Sequence, residues 1–188
     1  MTTPWTWKLS EASDRIRHRY QHIGRKTGAP FLAIVYPMED EAAVMREWHA
    51  HAAALAPDFR IHAIDCLAQT HAAVTDIGVD SVVDAIDHPM PGSEPLDDLA
   101  DAWRTRIADS VRAGLSSAGP GKPVVVLERT AALWPAAGPR DIMQSLWDSA
   151  QSDLDGPVVV LIPGHLVEPR TYRFLDRRNE FMYRGDLL

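Results

Sequence analysis

The 188-residue chain contains a single cysteine, Cys66, so no disulfide can form within it, as suits a reducing compartment. No apolar run approaches the roughly 20 residues needed to cross a bilayer. The opening residues, MTTPWTWKLSEASDR, lack the apolar stretch of a secretory signal. These absences predict a cytoplasmic protein without a membrane partner. Lysine and arginine are also scarce across a long central region. From Pro37 to Asp101 only Arg46 and Arg60 stand against fourteen acidic residues, a local balance of −12 in a chain whose overall balance is −7.

Positive charge collects instead at the two ends. RIRHRYQHIGRK, residues 15–26, carries one cluster, and Arg170, Arg173, Arg177, Arg178 and Arg184 the other. Segregation of this kind favours oriented docking to a charged partner, although a solvated surface with no partner accounts for it equally well. The first cluster has Tyr20 among its cations, as some nucleic-acid binders do. Its host helix already has an apolar face to bury, and the chain is acidic, so direct nucleic-acid binding is not expected.

What is present is an alternation of short apolar runs with amphipathic stretches. Leu9, Ile16, Tyr20 and Ile23 predict a helix over Ser10–Ile23. FLAIVY does not alternate with polar residues, which predicts a strand covered on both faces. EAAVMREWHAHAAALA reads as a helix ending near Pro57, and RIHAIDCL as a second strand closing at Asp65. Residues Ala68–Asp87 predict a mixed helical stretch with Val74, Ile77, Val82, Val83 and Ile86 as its apolar set, followed by the loop DHPMPGSEPLDD. The next helix places Leu96, Leu99, Trp103, Ile107, Val111 and Leu115 on one face. PVVVLERT and GPVVVLIPG are the third and fourth strands, with a helix between them opened by Pro139, and EFMYRGDLL offers a last edge strand. Strands alternating with helices imply βαβ units. The expectation is therefore a single α/β domain over 1–188, three-layered (α/β/α), with a mostly parallel central sheet of four to five strands. Residues 1–27 supply an N-terminal amphipathic helix and 28–188 the sheet-containing core.

This order invites comparison with P-loop NTPases, whose first strand runs into a phosphate-cradling turn and whose third ends in an acid. The cradle needs G-x-x-x-x-G-K-[ST], because glycine amides wrap the phosphates and lysine neutralises them. YPMEDEAAV supplies no glycine, lysine or hydroxyl. It puts Glu39, Asp40 and Glu41 where a helix N-terminus would otherwise attract an anion, and carboxylates there are favourable by about 0.3–1 kcal/mol each. The fold expected is that of a P-loop NTPase core without its Walker A motif, and no cofactor is expected.

Polar residues at strand ends are the remaining candidates for chemistry. Asp65 closes the second strand, Glu128 and Arg129 the third, and His165 follows the fourth. Their convergence would make a nucleotide-binding or metal-assisted hydrolytic site. Nothing in their spacing demands it, and satisfaction of Glu128 and Arg129 by local hydrogen bonds is the favoured expectation. His49 and His51 lie two apart on a helix and point to different sides, so they cannot share a metal. H-E-x-x-H, C-x-x-C and G-x-S-x-G do not occur.

Along most of its length the chain resembles the BrxB family of bacteriophage exclusion (BREX) antiphage defence systems. The resemblance is carried by APFLAIVYPMEDEAAVMREW, by RIHAIDCL, by PVVVLERTAALWPAAGPRDIMQSLWDS and by the ending PVVVLIPGHLVEPRTYRFLDRRNEFMYRGDLL. In that ending Pro163 and Gly164, Tyr172-Arg173-Phe174 and Met182-Tyr183-Arg184 match the family's PG, LRLF-like and aromatic-Tyr-Arg elements. The resemblance implies a non-catalytic adaptor working beside a BrxC-like ATPase, a PglZ-like phosphatase-fold protein and a PglX-like DNA methyltransferase. Tyr172, Arg173, Phe174, Phe181, Tyr183 and Arg184 are of the residue types enriched at interface hot spots, and are the expected docking residues. Burial in the core is the competing expectation for the aromatics.

Overall fold

Six consecutive buried residues, Phe31–Tyr36, make the first strand, as a run without polar alternation requires. The computed structural model describes residues 4–150 and 154–188. In chain order the elements are α1 (Thr6–Arg19), β1 (Phe31–Tyr36), α2 (Glu41–Ala54), β2 (Phe59–Asp65), α3 (Cys66–Ile77), α4 (Val79–Asp87), α5 (Pro95–Ser116) and β3 (Lys122–Glu128). They continue with α6 (Pro139–Ala150), β4 (Val158–Glu168), β5 (Thr171–Phe174), β6 (Arg178–Phe181) and β7 (Asp186–Leu187).

The main sheet runs in the order β2-β3-β4-β1-β7 with every pairing parallel. Because successive side chains point to opposite faces, each strand feeds two cores. Leu32, Ile34, Val124, Val126, Val159 and Leu161 meet α1 and α2 on one side, around Leu9, Ile16, Val44 and Trp48. Phe31, Ala33, Val125, Leu127, Val158 and Val160 meet α5 and α6 on the other, around Trp103, Ile107, Ile142 and Leu146. The fold is thus a three-layer α/β/α domain with a mostly parallel central sheet. No described helix is long and apolar enough to cross a membrane.

The boundaries differ from expectation in places, each for a local reason. The N-terminal helix starts earlier, at Thr6, and ends at Arg19; Tyr20–His22 form a 3-10 turn instead of its last residues. Residues Ala68–Asp87 divide into α3 and α4 at Gly78, whose φ of +101° is disfavoured for residues with a Cβ. Leu96, expected on the buried face of α5, is exposed, because it sits in the first turn before the helix reaches the sheet.

The C-terminal segment departs most. β4 runs on past the parallel sheet, β5 pairs antiparallel with its extension, and β6 pairs antiparallel with β5. The chain then returns along the opposite side of β1 as the two-residue strand β7. EFMYRGDLL is therefore part of two strands, not one edge strand. Gly164 makes the change of direction possible: its φ is +152°, and a Cβ there would lie 2.1 Å from the Arg173 carbonyl oxygen.

Candidate functional site

In a parallel sheet the carboxyl ends of the strands are where functional groups gather. At the end of β1 the chain turns through the 3-10 segment Met38–Asp40 into α2. Asp40 precedes α2 but its side chain makes no capping bond. It accepts a hydrogen bond from the Trp5 indole at 2.8 Å instead. Beside it Lys8 donates to the Val35 carbonyl at 2.7 Å, and the Tyr36 hydroxyl lies 3.4 Å from Glu41. Partial burial lowers the Lys8 pKa, and burial followed by the Glu41 charge raises that of Tyr36. The start of α1 thus packs against the turn at which a P-loop protein would hold its phosphates.

Glu128 and Asp65 are register partners across β3 and β2, so two carboxylates stand side by side at the next strand ends. Their interactions diverge. Asp65 caps α3 by accepting from the Leu67 and Ala68 amides at 3.0 and 3.4 Å, and takes an ion pair from Arg129, which adopts a left-handed φ of 52°. Glu128, nearly buried, meets His49 of α2, whose Nε2 lies 3.0 Å from Oε1 and 3.2 Å from Oε2. Burial and then the Glu128 charge push the neighbouring Cys66 thiol up to about 12.

His165 does not join them. Leu127 pairs with Val160, so His165 lies four residues beyond the level of Glu128, roughly 13 Å along β4. It is half-exposed and pairs with Asp176. The expected convergence of Asp65, Glu128 and His165 is therefore corrected: β4 carries His165 away into the antiparallel extension. Among the described residues no group of three or more His, Cys, Asp or Glu side chains is placed to hold a metal ion. His49, weighed in the sequence only as a metal ligand beside His51, is the member of this edge whose pairing with Glu128 was not foreseen. Its signal was its position two turns into a helix that follows β1, on the side facing the end of β3.

The expected docking residues separate into two groups. Tyr172 and Phe174 are completely buried. They point inward from β5 into the core beside α6, so they are corrected from partner contacts to core anchors. The Tyr172 hydroxyl donates to Glu180 at 2.6 Å, and that carboxylate also accepts from the Arg140 amide at 3.0 Å and from Arg178. Arg178 continues to Asp141 at 2.8 Å. Burial, then the Glu180 charge, holds the Tyr172 pKa well above its ordinary value. This buried network fixes the β5–β6 hairpin to the N-terminus of α6.

Arg173, Phe181, Tyr183 and Arg184 lie on the surface. Arg173 bonds Asn179 across the hairpin. Phe181 and Tyr183 meet edge to face at 4.8 Å between ring centres. The Arg140 guanidinium lies 5.4 Å from the Tyr183 ring, and that of Arg184 lies 4.7 Å from the Trp147 ring. Trp147 and Arg140, both from α6, belong to this surface and were not foreseen, since only the tertiary fold brings α6 beside the tail.

No family model matches the chain, nor does any curated protein or solved structure.

Proposed function

We propose that this protein acts by docking, as a non-catalytic adaptor in an antiphage assembly of the BREX type. The observation that carries the docking reading is the exposed cluster of Phe181, Tyr183, Arg140 and Arg184, backed by the half-buried Trp147. It places an edge-to-face aromatic pair and two guanidinium groups set over aromatic rings together on one face. Such groups offer large contact area with little rotamer freedom left to lose, the character of interface anchors. Support from the other end of the molecule is negative in charge: Glu39, Asp40 and Glu41 at the β1–α2 turn disfavour a bound polyphosphate, and Trp5 and Lys8 occupy its approach. The antiphage setting, with a BrxC-like ATPase and a PglZ-like protein as partners, rests on the BrxB resemblance.

The test is co-purification of the full chain with proteins encoded beside it. Truncating the tail is unsuitable, because residues 171–188 contain β5, β6 and β7. Tyr183→Ala combined with Arg184→Ala leaves the buried network intact and is expected to reduce partner recovery about tenfold or more. Equal recovery by the folded double variant and the wild type overturns the docking surface.

A hydrolase reading has one observation in its favour, the nearly buried Glu128 held against His49 at a strand end. Calorimetry with ATP and magnesium decides it: binding in the micromolar range that is lost in Glu128→Ala would replace the adaptor reading.

A further inference from the structure

α4 is the one described α-helix with no buried residue, and its sequence is nonetheless strongly amphipathic. Val79, Val83 and Ile86 recur at i, i+4 and i+7, which puts them on one stripe. They are 56%, 51% and 44% exposed. Ile77 extends the stripe at one end and Met90, 75% exposed, at the other. Only Val82 packs toward the core. Nine residues are too few for a helix to hold itself together in water, so an apolar stripe left facing solvent is a stripe with a use.

Between α4 and the start of α5 lies a groove of about 450 Å³, walled by Ile77, Val82, Ile86, Met90 and Leu99. Its surroundings are acidic. No lysine or arginine occurs between Arg60 and Arg104. Asp76 is neutralised by Arg106 and Asp84 faces His88. Asp80, Asp87, Asp97 and Asp98 have no cationic partner among the described residues.

We propose that the α4 face, an apolar stripe and groove flanked by unneutralised aspartates, binds a basic amphipathic helix of a partner protein. Charge selects this occupant. An anionic membrane or a nucleic acid is repelled by the aspartates. A second copy meeting the same face would set acids against acids. A helix with apolar residues at i, i+3/i+4 and i+7, flanked by lysine or arginine, satisfies both the stripe and the rim. The inference stands on α4 alone and is independent of the tail cluster.

The test uses the full chain and a fluorescent designed peptide, with leucines at helical spacing and lysines elsewhere, read by fluorescence anisotropy. Saturable, salt-sensitive binding is expected. Val83→Glu weakens it about tenfold or more, and Val83→Ser does so less severely. Asp80→Asn with Asp87→Asn flattens the salt dependence. A peptide with glutamates in place of lysines does not bind, and Tyr183→Ala binds like the wild type, so the two docking surfaces fail or succeed separately. Circular dichroism confirms that the variants are folded. Three results overturn the proposal. One is no saturable binding. Another is binding indifferent to both Val83 substitutions. The third is self-association in sedimentation velocity that Val83→Glu abolishes, which would make the occupant a second copy.

Discussion

Glu180 shows how much one side chain can hold in place here. Its carboxylate is 1% exposed and is shared among the Tyr172 hydroxyl, the Arg140 amide and the Arg178 guanidinium. Removing it leaves the buried Tyr172 hydroxyl without its acceptor and removes two of the three Arg178 hydrogen bonds. Glu180→Ala is expected to destabilise the protein by about 3 kcal/mol, measured as a lowered denaturant midpoint. Tyr172→Phe keeps the packing and the other two bonds, and is expected to cost about 1–2 kcal/mol. If both variants unfold like the wild type, the network is not what binds hairpin to helix. Neither residue announces this in the sequence: a Glu in RRNEFMYR looks like any exposed charge until the hairpin turns it inward.

At the scale of elements, the hairpin and α6 meet at Gly138. A Cβ there would lie 2.1 Å from Glu180 Oε1 and 2.3 Å from an Arg178 nitrogen. Gly138→Ala must displace the ends of the Glu180 and Arg178 side chains and disturb their hydrogen bonds, with an expected loss of about 1–3 kcal/mol. Because Trp147 and Arg140 ride on α6 while Tyr183 and Arg184 follow β6, the same substitution should also spread the surface cluster. Reduced partner recovery at a temperature where the variant is still folded would show this. The helices themselves were largely legible in the chain. Apolar spacing marked α1 and α5, alanine content marked α2, and Pro139 marked the first turn of α6, whereas Pro95, read as loop, opens α5. The divided α3–α4 region was harder, since Val74 and Ile77 before Gly78 and Val82, Val83 and Ile86 after it read as one apolar set and conceal the break. That set was visible; its lack of a partner was not, because exposure is a property of the assembled layers.

For the whole molecule, the buried thiol and the three shifted phenols share a direction. Burial is the first cause in each case: it raises Tyr20 and Cys66 to about 12, and Tyr36 and Tyr172 further. A raised folded-state pKa contributes stability that is complete below the unfolded value and is lost as pH climbs through the folded one. For Cys66 that window opens at 9.0 and runs to about 12, and for Tyr20 it opens at 10.0. The denaturant midpoint is therefore expected to fall steadily above pH 9.0, with thiolate and phenolate absorbance appearing together with loss of helix. Free titration of Cys66 in the folded protein, at an ordinary thiol pKa, would contradict its burial.

Sequence alone determined the class of this fold, because hydrophobic period is a local quantity. FLAIVY, PVVVLE and PVVVLI can only be strands covered on both faces, and the helices between them force parallel crossovers. It also determined that the turn after β1 does not carry the G-x-x-x-x-G-K-[ST] motif, since that depends on which residues are present. Tertiary structure decided the rest. It sent Tyr172 and Phe174 inward while leaving Tyr183 and Arg184 on the surface, moved His165 away from Glu128, and brought His49 to that carboxylate. Each of these turns on register, on the bend at Gly164 or on which layer lies opposite. Those are relations between residues far apart in the chain, which no local pattern encodes.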